Sequence, residues 1–194
     1  MKGPFDADDV ATPLTPDERD QLIPTHVTLR GELNELEQEN IAKADVWAFG
    51  RKRNVLDEGF LRGLHRRMFN RVWRWAGQYR TTERNLGVKP YLIQPELLQA
   101  IGDARYWVEH KSYPPDELAV RFHQRSVFVH PFPNGNGRWS RLAVDLLVFQ
   151  LGQPRFTWGG ADLQAAGNAR QAYIDALRKA DNHDLAPLIV FARS

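Results

Sequence analysis

The chain has 194 residues, of which 42% are hydrophobic and 11% aromatic, so it is long enough for one domain with a well-packed core. Its 26 basic and 24 acidic side chains leave a net charge of +2, which argues against a dedicated nucleic-acid-binding protein. There is no cysteine, which excludes disulfides, thiolate zinc sites and a cysteine nucleophile. The N-terminus lacks an apolar signal core and no apolar run reaches membrane-spanning length, so we expect a soluble cytoplasmic protein without a membrane partner.

The first fifty residues predict two helices. Residues 1–14 are rich in Pro and Asp and are expected to lie on the surface as a tail or strap. The segment 15–18 (TPDE) has the hydroxyl cap, first-turn proline and acidic residues of a helix start, and Pro24 ends this short helix. A second helix is predicted over 27–49. Its apolar contacts are Leu29, Leu33, Leu36 and Ile41, and its outer residues are Glu32, Glu35, Glu37 and Glu39.

The clearest amphipathic segment is 55–75, in which apolar side chains recur every three or four residues at Phe60, Leu64, Met68, Val72 and Trp75. Gly87 and Pro90 interrupt this period, so 76–95 is expected to be a loop or a short hairpin. Further helices are predicted over 95–110, 116–129, 136–150, 160–180 and 183–192. The pattern therefore predicts an all-α fold with one small β element.

The segment 130–141, HPFPNGNGRWSR, joins two predicted helices through a turn that suits anion binding. Pro131 and Pro133 prevent a helix from continuing smoothly past His130. The NGNG run at 134–137 can adopt backbone angles that point successive N–H groups into one concavity. Because the next helix begins there, its positive end faces the same hollow, an arrangement that binds phosphates.

Three side chains of this segment carry charge or accept protons. Arg138 and Arg141 are three residues apart on the first turns of the helix, so we expect both to project to one side and offer forked donors to phosphate oxygens. His130 lies at the rim, where its imidazole can accept a proton near neutral pH. These features predict a phosphoryl-transfer site that works by positioning and charge stabilisation.

The same segment resembles the signature of the Fic family, H-x-F-x-[D/E]-G-N-G-R-x-x-R. It matches at His130, Phe132, Gly135, Asn136, Gly137, Arg138 and Arg141. The similarity covers about residues 32 to 190, including the WRWAGQYR run at 73–80. Within the family we expect the chain to lie near the group called mobile mystery protein B. The resemblance implies a Fic-type helical bundle with a small β-hairpin flap. It divides the chain into an N-terminal extension (1–26), an inhibitory helix (27–50) and a catalytic core (51–194).

The resemblance also implies an activity: transfer of AMP from ATP to a hydroxyl side chain of an unknown target protein. His130 would deprotonate that hydroxyl, and Phe132 would be buried and hold the shape of the loop. The remaining matched residues would bind the nucleotide, the α- and β-phosphates at Gly135, Asn136 and Gly137, the β/γ end at Arg138 and the γ-phosphate at Arg141.

Asn134 departs from the family pattern, because most members carry there an Asp or Glu that holds Mg²⁺. A hard cation prefers charged oxygen ligands, and an amide oxygen coordinates without contributing charge. We therefore expect a weak metal site at Asn134 and slower transfer. The departure keeps two alternatives open, which are another phosphoryl or nucleotide transfer in the same fold and a non-catalytic nucleotide-binding interaction module.

A second resemblance concerns self-inhibition. Many Fic proteins carry a helix motif, [S/T]-x-x-x-E-[G/N], whose Glu inserts beside the second arginine of the signature. Glu39 and Asn40 match the end of this motif, whereas Glu35 stands at the Ser/Thr position. We expect Glu39 to pair with Arg141, with Glu35, one helical turn earlier, as the alternative inserted residue.

The remaining expectations concern binding partners. Residues 85–93 match the position of the family's flap, which would bind an extended stretch of the target through Val88, Tyr91 and Ile93, and an ordinary surface loop is the alternative. The resemblance also implies a toxin-like role, with a homo-oligomeric or antitoxin-like partner. Nucleic acid is not expected as a partner, because the arginines between 51 and 74 spread around their helix instead of forming a stripe.

Overall fold

The computed structural model describes residues 14–160, 163 and 167–194, and within these ranges the fold is built from helices. The α-helices in chain order are α1 (Pro16–Arg19), α2 (Arg30–Phe49), α3 (Glu58–Phe69), α4 (Ile93–His110), α5 (Pro115–Val129), α6 (Asn136–Gln150), α7 (Asn168–Asp181) and α8 (Ala186–Arg193). Short 3₁₀ turns lie at Pro90–Leu92 and Trp158–Gly160. The predicted all-α class is confirmed.

Helix α6 is the central helix of the bundle, because it packs against α5 on one side and α2 and α3 on another. All side chains from Leu142 to Val148 are buried. A helix surrounded by other elements must be apolar around its circumference, which explains the LAVDLLV run at 142–148. Helix α4 packs against α5, and so do α7 and α8. This packing fixes the N-terminus of α6, where the 130–141 segment lies.

Helix α2 packs along α3 and also reaches α6. Asn40 holds α2 to the end of α3, because its Nδ2 donates to the Arg67 carbonyl at 2.7 Å and its Oδ1 accepts from the Arg71 N–H at 2.9 Å. The predicted helix over 27–49 begins at Arg30 and ends at Phe49. A side chain of α2 can therefore reach the N-terminus of α6.

The amphipathic segment predicted as one helix over 55–75 is helical only as far as residue 69. Beyond it, main-chain groups bond to the N-terminal segment instead, since the Ile23 N–H donates to the Val72 carbonyl at 2.8 Å and the Arg74 N–H donates to the Gln21 carbonyl at 3.0 Å. The last predicted contact residues, Val72 and Trp75, are nevertheless buried. The pattern indicated burial correctly, but tertiary hydrogen bonds decided where the helix ends.

The β-hairpin flap expected at 85–93 is not formed. Residues 81–89 contain no strand, and the chain turns directly into the 3₁₀ turn Pro90–Leu92. Ile93 then begins α4 and is only 1% exposed, so it belongs to the core and not to a target-binding flap. Pro90 explains the outcome, because proline suits the first turn of a helix and cannot donate to a strand ladder.

Two predicted segments fall partly outside the described residues. These are residues 1–13 of the N-terminal tail and residues 161–162 and 164–166 of the helix predicted over 160–180. In the described part of the chain, no helix combines the length and the apolar character that a membrane crossing requires.

Candidate active site

The loop between α5 and α6 leads into a helix N-terminus whose first N–H groups have no acceptor within the helix. Helix α5 ends in His130, whose backbone is left-handed (φ 52°, ψ 60°), and α6 begins after Gly135, at φ 80°. The first intrahelical bond across this start runs from the Trp139 N–H to the Gly135 carbonyl at 2.9 Å. The three preceding N–H groups, at residues 136–138, have no acceptor within the helix, and they point from its positive end. Such an end binds phosphate.

Gly135 has a second reason to be glycine. A Cβ at this position would lie 2.5 Å from Cζ of Phe69, so the aromatic ring of α3 packs directly on the loop backbone. No side chain fits there, and the positive φ disfavours other residues as well.

The side chain of Asn136 shapes the loop. Its Oδ1 accepts from the Phe132 N–H at 2.9 Å, and its Nδ2 donates to the Phe132 carbonyl at 2.8 Å. Phe132 itself is fully buried, with its ring centroid 5.0 Å from that of Trp139 in an edge-on contact. Of the predicted phosphate-binding groups of Asn136, only the main-chain N–H is therefore oriented for a ligand.

His65, which the sequence did not assign to the site, packs against the loop between α5 and α6 and stabilises it. It is fully buried and stacks on Phe132 with 3.7 Å between ring centroids. Nδ1 accepts the Gly77 N–H at 3.0 Å, so Nε2 carries the proton and donates to the Asn134 carbonyl at 3.1 Å. Burial lowers the pKa of His65 to about 3, so the ring stays neutral. The available signal was a histidine beside the apolar face of a helix, followed by a Trp-Ala-Gly run.

Buried neutral histidines should make the fold sensitive to acid. Burial lowers the pKa values of His65 and His123 to about 3, and that of His130 to about 4. Between these values and the unfolded value of about 6.5 the unfolded chain binds more protons. As the pH is lowered through this range, the free energy of unfolding therefore decreases by up to about 1.4 kcal/mol per pH unit for each histidine. Asp145 opposes this trend between 3.8 and about 6, because burial raises its pKa to about 6.

We predict that His65→Gln makes the free energy of unfolding less dependent on pH, because it removes one histidine that takes up a proton on unfolding. A glutamine amide can accept the Gly77 N–H and donate to the Asn134 carbonyl, but it does not titrate. Urea unfolding followed from neutral pH down to about pH 4 should give a shallower fall for His65→Gln than for the unsubstituted chain. His26→Gln, at an exposed histidine, is the control and should leave the slope unchanged. Equal slopes for all three proteins would refute the assignment.

His130 lies partly buried at the end of α5. Burial and, to a smaller extent, the neighbouring cations Arg80 and Arg84 lower its pKa to about 4, whereas a hydrogen bond to the Val127 carbonyl acts in the opposite direction. The imidazole is therefore neutral near neutral pH. Because one ring nitrogen donates to Val127, the other is the acceptor in this tautomer. This is the protonation state that a general base requires.

Arg138 is held by a carboxylate from α2. Its Nη1 donates to Glu37 Oε2 at 2.6 Å, and the side chains are only 15% and 6% exposed, respectively. The other oxygen of Glu37 accepts the Trp73 indole N–H at 2.6 Å. Glu37 was predicted to face solvent, but it is 4% exposed, because these two donors compensate its burial.

Arg141 contacts a different part of the bundle. Its guanidinium carbon lies 5.4 Å from the ring centroid of Tyr173, whose hydroxyl is also a hydrogen-bond partner of Arg141. The same hydroxyl is 2.8 Å from Nε2 of His123, a buried residue of α5. The two signature arginines thus have separate neighbours, with Arg138 against α2 and α3 and Arg141 against α7.

Other predicted site residues lie elsewhere than expected. Glu39 is on the solvent side of α2, with a side chain 62% exposed, and it pairs with Lys43 instead of Arg141. Glu35 is exposed as well. The reason is helical geometry, since residues two positions from the buried Glu37 point away from the α6 N-terminus. In the flap region Tyr91 is 72% exposed, and the Val88 N–H lies 3.4 Å from the Val129 carbonyl.

The residues at Asn134 do not suit a metal held by the protein. Oδ1 of Asn134 accepts the Gly135 N–H at 2.6 Å and lies 3.5 Å from Nη2 of Arg138, a cation. Across the described ranges, no group of three His, Cys, Asp or Glu side chains could hold a metal ion. A single engaged amide oxygen is a poor site for Mg²⁺, which binds proteins through one or two carboxylates together with phosphates and water.

The fold and the loop define a class, namely a helical domain in which the N-terminus of a buried helix lies beside a neutral histidine. Residues 55–148 match the Fic/DOC family, and the chain therefore contains a Fic/DOC family domain.

Named relatives support this assignment. The chain is 30% identical over 117 residues to protein adenylyltransferase fic-1 of Caenorhabditis briggsae, which covers 59% of this chain and 22% of the nematode protein. It is 27% identical over 188 residues to "Probable protein adenylyltransferase y4lH" of Sinorhizobium fredii, which covers 84% of this chain and 88% of that protein. It thus spans under a quarter of the nematode relative and most of the bacterial one.

Solved structures show the same fold. The BepC protein of Bartonella tribocorum, a VirB-translocated effector solved with bound AMPPNP, matches with a TM-score of 0.66 and 20% identity. The match covers 90% of this chain and 96% of BepC. At this identity the likeness concerns the fold alone.

Proposed function

We propose that the chain is a protein adenylyltransferase, which transfers AMP from ATP to a hydroxyl side chain of a target protein. The observation that carries this proposal is one short loop with a neutral histidine at one end and the donor-rich N-terminus of α6 at the other. Relatives named protein adenylyltransferases support AMP transfer over the other phosphoryl transfers that such an arrangement could serve.

In the proposed reaction the target hydroxyl oxygen attacks the α-phosphorus of ATP. A new P–O bond forms, the bond from the α-phosphorus to the bridging oxygen breaks, and pyrophosphate leaves. His130 accepts the hydroxyl proton at the ring nitrogen that is not bonded to Val127. A bound triphosphate adds negative charge beside the imidazole, which raises the pKa of His130 from about 4 and strengthens it as a base.

The phosphates would be held by the start of α6. The N–H groups of residues 136–138, which have no acceptor within the helix, supply donors, and the first two turns of α6 add positive charge at Arg138 and Arg141. These groups are fixed before the nucleotide arrives, because the loop beneath them is bonded to Asn136 and His65. Fixed donors stabilise the charge that develops on the phosphate oxygens at little reorganisation cost.

The predicted self-inhibition is reassigned from Glu39 to Glu37. Glu37 already neutralises Arg138, so a phosphate group must compete with this carboxylate for the guanidinium. Trp73 holds Glu37 in place from the other side, which makes the displacement less favourable. In this proposal α2 restrains nucleotide binding, and transfer is slow until α2 moves.

Target binding is proposed along residues 81–91, on the exposed surface that contains Tyr91. The toxin-like role, the cytoplasmic location and membership of the mobile mystery protein B group stay predictions.

A labelling experiment tests the reaction. The purified chain is incubated with cell lysate and ATP carrying its label on either the α- or the γ-phosphate. Label transferred to protein from the α-position only supports AMP transfer, whereas label from the γ-position only indicates phosphorylation. The mass added to the modified peptide identifies the group. Absence of transfer despite ATP binding, for the unsubstituted chain and for Glu37→Gln alike, would contradict the proposal and favour a non-catalytic module.

The observation that favours the non-catalytic alternative is Asn134, whose uncharged amide oxygen is a weaker ligand for Mg²⁺ than a carboxylate. We predict that Asn134→Asp increases transfer several-fold when Mg²⁺ is limiting, because a carboxylate adds charge to the metal's ligand set. Initial rates are measured for both proteins across a Mg²⁺ titration, and saturating Mg²⁺, where the rates should converge, is the internal control. Identical titration curves would refute a role for position 134 in metal binding.

A further inference from the structure

Arg80 is a buried cation whose partners are main-chain carbonyls. Only 2% of the residue is exposed, yet its guanidinium is bonded to no carboxylate among the described residues. Nε donates to the His130 carbonyl at 2.7 Å, Nη1 donates to the Thr82 carbonyl at 2.9 Å, and Nη2 donates to the Val88 carbonyl. Burying a charge is costly unless it is well compensated, so three aligned carbonyls point to a definite arrangement that this side chain maintains.

The first of these bonds acts on the backbone of His130. A left-handed conformation at a non-glycine residue is strained, and it persists only where neighbouring contacts impose it. Arg80 supplies two such contacts, one from its guanidinium to the His130 carbonyl and one from its main-chain N–H to the Pro131 carbonyl at 2.9 Å. Together they set the direction in which the imidazole leaves the end of α5.

The other two bonds act on the loop that covers His130. They tie residues 82 and 88 to the same guanidinium, so the loop closes around Arg80. At the tip of this loop, a Cβ on Gly87 would lie 2.5 Å from Cβ of His130 and 2.8 Å from Nη2 of Arg80. The loop backbone therefore rests directly on the base of the His130 side chain.

We propose that Arg80 is a positioning residue for the transfer reaction, which holds the His130 main chain and the 82–88 loop in the arrangement that aims the imidazole at the incoming hydroxyl. The proposal rests on the proposed function. A general base must come within about 2.6–3.2 Å of the proton it removes. A displacement of about 1 Å can lower a rate by about 100-fold, so a contact that fixes the His130 backbone is expected to have a large effect on the transfer rate.

The test compares Arg80→Gln and Arg80→Lys in the full chain with Arg74→Gln, which removes an exposed arginine from the same 73–80 run. Arg80→Gln should lower kcat by about 100-fold while the Kd for ATP stays within about twofold, because the α6 N-terminus is not among the contacts of Arg80. Arg80→Lys keeps the charge but can reach fewer carbonyls, so its kcat should lie between those of Arg80→Gln and Arg74→Gln. Arg80→Gln with kcat equal to that of Arg74→Gln, or with kcat and ATP binding lost in parallel, would overturn the proposal.

A second readout separates this inference from the proposed function. If the unsubstituted chain transfers no label, the proposed function fails, and the role of Arg80 is still decided by NMR titration of the His130 imidazole. In Arg80→Gln the pKa of His130 should rise from about 4 toward the unperturbed 6.5, because both the neighbouring cation and the covering loop are lost. Arg74→Gln should not change it. An unchanged titration in Arg80→Lys and Arg80→Gln would show that Arg80 does not position His130.

Discussion

Replacing His130 with alanine is expected to lower AMP transfer by about 10²–10⁴-fold, the usual contribution of a general base. ATP binding should persist, because the nucleotide contacts proposed for the α6 N-terminus do not involve the imidazole. Steady-state transfer with α-labelled ATP gives kcat, and calorimetric titration with ATP gives the Kd.

The left-handed backbone of His130 calls for a companion variant. Asparagine adopts this conformation more readily than alanine, so His130→Asn removes the base while keeping the backbone geometry. Both variants should be equally inactive, although His130→Asn should be the more stable in thermal unfolding. Transfer by either variant above about a tenth of the unsubstituted rate would exclude His130 as the essential base.

Glu37→Gln is expected to raise transfer and to tighten ATP binding, each by about tenfold, which corresponds to about 1.4 kcal/mol of coupling. Glutamine can still accept the Trp73 indole N–H, but it no longer neutralises Arg138. Without ATP the variant should unfold at a lower temperature than the unsubstituted chain, because one partner of a buried ion pair has been removed. ATP should raise its unfolding temperature more than it raises that of the unsubstituted chain.

Glu39→Gln is the matched control, two residues away on the same helix. Its pair with Lys43 is exposed to solvent, and exposed ion pairs contribute little to stability, so activity and ATP affinity should not change. Activation by Glu39→Gln instead of Glu37→Gln would restore the assignment made from the sequence motif. No change in either variant would mean that α2 does not restrain the site.

The comparison of Glu37 with Glu39 shows where pattern matching reaches its limit. Both lie in an acidic stretch of a helix, and the sequence motif favoured Glu39. The choice depends on how α2 is rotated about its axis against α3, and Asn40 sets that rotation through its bonds to the main chain of Arg67 and Arg71. These partners are 27 and 31 residues away in sequence.

His65 and Arg80 illustrate the same limit for supporting residues. Each acts on main-chain groups, His65 on Asn134 and Arg80 on His130, and these contacts span 69 and 50 residues. Main-chain acceptors have no residue identity, so no spacing rule in the sequence can reveal them. The assignment of Ile93 to a hairpin was wrong for a related reason, since an apolar residue fits both a strand and the buried start of α4.

By itself the sequence determined the helical class and the 130–141 segment with its histidine, glycines and arginines, because helical periodicity and loop chemistry are local properties. Only the tertiary structure decided which glutamate meets Arg138, which side chains hold His130 and the loop, and where α3 ends. Those outcomes depend on the orientation of elements that are distant in sequence, and that orientation is fixed by packing of the whole core.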